Sequence, residues 1–172
     1  YLPNKPEQLF YTLSDYPNRY YAATVQPWKK PSGKTVRQEL AATNNWREIG
    51  SFSNHTLTIG GQVVLDSLVY IPKGVKLKIM SGSSIELQKK GGIIVNGDFE
   101  ATATAAGPIK IFSESEENNG ITVLNPNQVR VKNVELSGLS NLNVGRWMLT
   151  GGFTIYECPD IEIINCKISK GG

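Results

Sequence analysis

The stretch "VRVKNVELSG" (residues 129–138) returns thirty-two residues later as "IEIINCKISK" (161–170), with apolar positions, an asparagine and a serine in the same places. Each copy holds two apolar–polar–apolar triplets, the pattern of a short strand whose outer pair faces one way and whose middle residue faces the other. Asn133 and Asn165 sit between the triplets. A sharp bend there calls for the left-handed backbone conformation, which asparagine tolerates better than most residues.

The echo extends into three columns. One reads Val69/Ile71, Ile93/Val95, Ile121/Val123 and Phe153/Ile155, and a second Leu77/Ile79, Ala101/Ala103, Val129/Val131 and Ile161/Ile163. The third reads Ile85/Leu87, Ile109/Ile111, Val134/Leu136 and Cys166/Ile168. Three short strands per repeat of about two dozen residues cannot bury an apolar face alone, but stacked repeats can. The fold class this predicts is all-β: a right-handed parallel β-helix, or solenoid, over residues 51–172, its hand following the general crossover rule. In the third column the middle residues are Glu86, Lys110, Glu135 and Lys167. With neighbouring strands about 5 Å apart they predict a ladder of alternating charge on the outside, structural rather than catalytic.

Composition agrees with this reading. The chain has 172 residues, 40% hydrophobic and 19% charged, with 17 glycines and 9 prolines, and no sustained helical rhythm follows residue 50. A net charge of +3 from scattered basic residues lacks the footprint of a nucleic-acid binder, and no apolar run is long enough for a membrane span. Two cysteines, Cys158 and Cys166, and a single histidine, His55, offer no zinc set, so no metal is expected and both thiols are read as free.

The repeat lengthens mainly at one corner, through Gln88–Gly92, Ser113–Gly120 and Ser137–Gly152. Such loops are where solenoids carry function. "SESEENNG" brings Glu114, Glu116 and Glu117, and "SGLSNLNVGRWMLTGG" brings Arg146 and Trp147, a pair able to stack on a sugar. The apolar residues of that second loop also suit it to folding back over the strands. The alternating ligands and invariant glycine of a calcium loop are missing, so no cofactor is expected, calcium being the one alternative.

Residues 1–50 do not fit the columns. They are expected to cap the exposed end of the stack with Phe10, Tyr11, Tyr20, Tyr21 and Trp28, and "KTVRQELAATNN" (34–45) predicts a short helix.

The motifs "PWKKPSGKTVRQEL", "YIPKGVKLKIMSGSSIEL" and "LSGLSNLNVGRWMLTGGFTIYEC" resemble a family of bacterial secreted or cell-surface right-handed parallel β-helix proteins, sometimes found alongside regions similar to spore-coat protein H kinase-like domains. The resemblance spans most of residues 25–172. It implies secretion or surface display, adjoining domains and coils continuing past "KISKGG". These motifs carry no catalytic set, and no kinase activity is expected.

For function, the expectation is a non-catalytic scaffold or adhesion module, with a polysaccharide or cell-surface partner engaged through loops 113–120 and 137–152. The alternative is part of a polysaccharide lyase or glycoside hydrolase. Its candidates, Arg130 with Glu162 and nearby Lys132, most simply pair among themselves.

Overall fold

A computed structural model describes residues 9–12, 20–23, 45–144 and 147–170. The chain divides into two compact units, Tyr1–Thr35 and Val36–Gly172. In the first, β1 (Leu9–Thr12) pairs antiparallel with β2 (Tyr20–Ala23), Leu9 opposite Ala23. Phe10, Tyr11, Tyr20 and Tyr21 fall on these two strands, while Trp28 and all but the last residue of the predicted 34–45 helix lie outside the described residues.

Among its described residues the second unit is all-β apart from a 3-10 turn at Asn45–Arg47. After β3 (Ser51–Ser53) the strands come in rounds of three. They are β4 (Thr56–Ile59), β5 (Gln62–Leu65) and β6 (Leu68–Ile71), then β7 (Lys76–Ile79), β8 (Ser84–Leu87) and β9 (Gly92–Val95). Next come β10 (Phe99–Thr102), β11 (Ile109–Phe112) and β12 (Ile121–Leu124), then β13 (Val129–Lys132) and β14 (Val134–Ser137). A hairpin of β15 (Leu142–Val144) and β16 (Trp147–Leu149) precedes β17 (Phe153–Tyr156), and β18 (Ile161–Ile164) and β19 (Lys167–Ser169) begin a fifth round.

Members of a round belong to three different sheets. The first sheet runs β3-β4-β7-β10-β13-β18, the second β5-β8-β11-β14-β19, the third β6-β9-β12-β17. Apart from β3, which is antiparallel to β4, every pairing in them is parallel. Parallel strands need a crossover connection, and here the other two sheets supply it. Inward side chains from all three sheets meet in one core: Leu57, Leu77, Ile85, Ile93, Ile109, Ile121 and Val129 are buried in it.

The third-sheet column matches the sequence reading throughout, with Val69 opposite Ile93 and Ile121 opposite both Ile93 and Phe153. The other two need a correction in the third round. Leu77 pairs with Phe99, not Ala101, and Ile85 pairs with Ile111, not Ile109. The repeat is thus two residues shorter than predicted on one sheet and two longer on the next, the difference being taken up in the corner between Thr102 and Ile109. Strand side chains alternate with period two, so a slip of two keeps every residue on its face; Ala103 is still buried. The hydrophobic pattern has no means of registering such a slip.

The outward charges change accordingly. Lys110, Glu135 and Lys167 stand side by side, but Lys110 is opposite Ser84, and Glu86 is opposite Phe112. Among the described residues these three charges close no ion pair. The tighter ladder is on the first sheet, where Lys78, Glu100, Arg130 and Glu162 are consecutive neighbours.

The corners follow the expectation. Asn133 and Asn165 have φ near 52°, and glycines hold the same corner in the first two rounds, Gly61 at 77° and Gly82 at 76°. The Asn133 amide also donates to Ala103 O at 2.6 Å, tying successive rounds together. At the start of the stack Trp46 is buried in the core with Phe52 edge-on at 5.0 Å, so within the second unit this indole covers the apolar end.

Phe99 is buried in the core between Leu77 and Val129. Phe99→Ala empties a core position that the predicted register left outside the ladder. Chemical denaturation is expected to show a loss of about 3–5 kcal/mol, against less than about 0.5 kcal/mol for Thr102→Ala on the surface.

Candidate functional site

The corner joining the second and third sheets gathers the long loops. Loop 113–120 needs tight turns where it re-enters the third sheet, and Gly120 provides one with φ 54°; a side chain there would strike Gly152 O and Ser140 O within 2.5 Å. Loop 113–120 is held from inside by two buried asparagines. The Asn118 carbonyl accepts from the backbone N–H groups of Gly120 (3.0 Å) and Ser140 (2.9 Å), while its amide donates to Gly138 O at 2.9 Å. Asn119 spans three rounds, donating to Lys90 O at 2.9 Å and accepting from Asn143 N at 3.1 Å.

The second long loop divides its residues. Leu139 joins the main core, and Leu142 packs with Tyr70, Ile94 and Leu124 in a separate apolar cluster on the outer face of the third sheet. Hairpin β15–β16 therefore folds back over that sheet, which answers for most of the loop's apolar residues. Tyr70 is buried beneath it with its hydroxyl accepting from the Asn96 amide at 3.1 Å.

Between the two loops lies a groove of about 1160 Å³. Glu114, Glu116 and Glu117 line it together with Ser140, Asn141, Asn143, Met148, Lys90 and Lys170. All three glutamates predicted as ligand contacts are thus brought together, and all are exposed. Glu117 pairs with Lys89 at 3.0 Å, whereas the Glu114 and Glu116 carboxylates make no hydrogen bond or ion pair among the described residues. Of the other predicted pair, Arg146 lies outside the described residues, and Trp147 is placed by its backbone, opposite Val144 in the hairpin. No group of three or more His, Cys, Asp or Glu is arranged to hold a metal ion among the described residues.

Asn118 and Asn119 were not singled out in the sequence. Their signal is "NNG" at the point of re-entry into a buried strand, where orphaned backbone groups must be satisfied.

The regular face is electrostatically occupied. Glu100 contacts Lys76 and stands 3.0 Å from Lys78; the Lys76 hydrogen bond, opposed by burial and aided by Lys78, holds its carboxyl below the ordinary range. Arg130 meets Asp160 and, at 3.2 Å, Glu162, as the sequence suggested for the latter. The hydrogen bond from Arg130, with a second from Gln128, lowers Asp160 in the same way. Lys132, the remaining candidate base, is exposed and forms no ion pair among the described residues. Cys158 and Cys166 are free thiols, half-buried against the core.

No protein-family model, curated protein or solved structure matches this chain.

Two outcomes follow. Asn118→Ala strands two backbone donors, so thermal or urea unfolding is expected to show a loss of about 1–3 kcal/mol for each N–H left buried without an acceptor. For Glu100, a depressed carboxyl stabilises the fold above the unfolded-state value near 4.5 and loses that contribution as pH falls through the folded-state value. Glu100→Gln should cost about 1 kcal/mol at neutral pH and flatten the acid limb of a stability–pH profile.

Proposed function

We propose that residues 51–172 form a right-handed parallel β-helix of the bacterial secreted or cell-surface kind that the sequence resembles. In this reading the domain is a non-catalytic scaffold or adhesion module that takes a polysaccharide along the groove between loops 113–120 and 137–152. The strict rotation of the chain through three parallel sheets supports the solenoid, with the right hand following the preference of parallel crossovers.

One observation carries the functional reading: among the described residues Glu114 and Glu116 are unpaired in a groove also lined by Asn141 and Asn143, while Glu100 is neutralised by Lys76 and Lys78, and Asp160 and Glu162 share Arg130. A hydrolase needs two carboxyl groups free to act as acid and as base or nucleophile, and a lyase needs a base beside a neutralised uronate. The first sheet's carboxylates are committed to cations instead, which leaves Glu114 and Glu116 as the unpaired carboxylates of the groove, and the release of sugar ends decides between an acid–base pair and sugar contacts there. Carboxylates outnumber ammonium groups along the groove, so an uncharged glycan is favoured over a polyuronate. Side-chain carboxylates and amides are suited to sugar hydroxyls, with Trp147 and Arg146 available to stack.

The test is a panel of neutral glucans, polyuronates and sulfated glycans, with and without calcium, read by binding and by the release of reducing or unsaturated ends. Binding without release is expected, weakened about 10-fold by Glu114→Gln with Glu116→Gln, or by Arg146→Ala with Trp147→Ala, equivalent to about 1.4 kcal/mol. Release of ends that depends on a residue of this chain contradicts the non-catalytic reading.

A further inference from the structure

The chain has two Asn-Gly dipeptides, Asn96–Gly97 and Asn119–Gly120. A glycine leaves its backbone nitrogen unshielded, so in an open chain that nitrogen reaches the side-chain amide carbon of the preceding asparagine and displaces ammonia. In the folded chain both members of the second dipeptide are engaged elsewhere. The Gly120 N–H donates to Asn118 Oδ1 at 3.0 Å. The Asn119 carboxamide donates to Lys90 O at 2.9 Å and accepts from Asn143 N at 3.1 Å, so both its ends are fixed to neighbouring rounds. Asn118 and Asn119 are 3% and 9% exposed.

We propose that Asn119 is a latent site of spontaneous deamidation and that Asn118 is the lock on it. When the lock opens, the Gly120 nitrogen gives up its proton and bonds to Asn119 Cγ, the Cγ–Nδ2 bond breaks, and the amide group leaves with that proton as ammonia. Water then opens the resulting cyclic imide at either carbonyl, giving aspartate or isoaspartate. A nitrogen whose N–H is hydrogen-bonded loses its proton less readily, and the step needs only a local opening of the loop, not unfolding of the stack. Asn143 lies on β15, and the Asn118 oxygen that holds Gly120 also holds Ser140 N at 2.9 Å, just before that strand. Movement of hairpin β15–β16 away from loop 113–120 therefore loosens the partners of the carboxamide and of the nucleophile together.

Once ammonia has left, the change is one-way. A carboxylate at position 119 has no donor for Lys90 O, so two acceptors face each other where a hydrogen bond stood. Asn119 also lines the groove, and its conversion places a new negative charge in that wall while untying it from the round before. None of this depends on what the groove binds. Asn96 has different surroundings: its amide donates to the Tyr70 hydroxyl at 3.1 Å, within the apolar cluster on the outer face of the third sheet. It serves as the comparison inside the same molecule.

The test follows Asn119 and Asn96 by peptide mass spectrometry in the 172-residue chain held at mildly alkaline pH. Asn119 is expected to convert at least about 10-fold more slowly in the native chain than in the same chain in urea, a factor that one buried hydrogen bond supplies. Asn118→Ala should raise native conversion of Asn119 at least about 10-fold on the same grounds, with Asn96 at its wild-type rate and the far-ultraviolet circular dichroism unchanged. Asn118→Asp keeps an acceptor for both N–H groups and should stay close to wild type. Asn119→Asp should lower the thermal midpoint, because the bond to Lys90 O is lost. If Asn118→Ala does not fold, hydrogen exchange on the wild type decides: below the unfolding transition, Asn119 conversion should rise with temperature in step with exchange of the Gly120 N–H. The proposal is overturned by native conversion as fast as in urea, by an Asn118→Ala chain that leaves Asn119 unchanged or accelerates Asn96 equally, by Asn118→Asp converting as fast as Asn118→Ala, by an Asn119→Asp chain as stable as wild type, or by conversion of Asn119 while the Gly120 N–H stays protected.

Discussion

Parallel pairing between each strand and the strand one round later is the constraint on which the second unit rests. A strand of four residues carries too few hydrogen bonds and too little apolar surface to persist alone, and its neighbours in sequence lie in other sheets. Its partners arrive only when the chain has completed a round. Once they do, two inward residues per strand enter a core shared by three sheets, and the corners must turn within a few residues. Asn133, Asn165, Gly61 and Gly82 meet that demand with left-handed backbone at equivalent points. Where a corner is longer, buried amides replace backbone economy: Asn118 and Asn119 bind one loop to the next.

The same constraint separates the surfaces that maintain the fold from those free for other work. Outward residues on a strand stand about 5 Å from their counterparts above and below, so like charges would repel along the whole column. The first sheet resolves this by alternation and ties up its acids and bases in doing so. Loops leaving the corner between the second and third sheets escape the requirement, since their side chains are spaced by loop geometry rather than by strand pairing. Among the described residues Glu114 and Glu116 are unpaired there for that reason, in the groove where the proposed ligand would lie.

Much of this was legible in the sequence because period-two alternation and the recurring Asn133 and Asn165 report directly on face and bend. The third-sheet column was read correctly in every round. Registers on the first and second sheets slipped by two in one round because a slip of two leaves burial unchanged, and Phe99 and Ala103 are both buried. That slip hid Glu100, and with it the better-formed charge ladder. At the groove, the sequence pointed to the two loops and the three glutamates that line it. It passed over Asn118 and Asn119, since a buried asparagine is distinguished from a solvated one only by the backbone groups around it. Leu139 and Leu142 show why a long apolar loop is ambiguous: the same residues that suggest a binding surface are consumed in covering strands.

The most direct test of the pairing is a hydrogen-bond scalar coupling experiment on isotopically labelled protein, read at Leu77. In the structure the Leu77 N–H donates to Asp98 O at 2.9 Å. A coupling from the Leu77 amide nitrogen to the Asp98 carbonyl carbon is predicted; a coupling to the Glu100 carbonyl, or to a carbonyl of the neighbouring strand in sequence, would contradict the account.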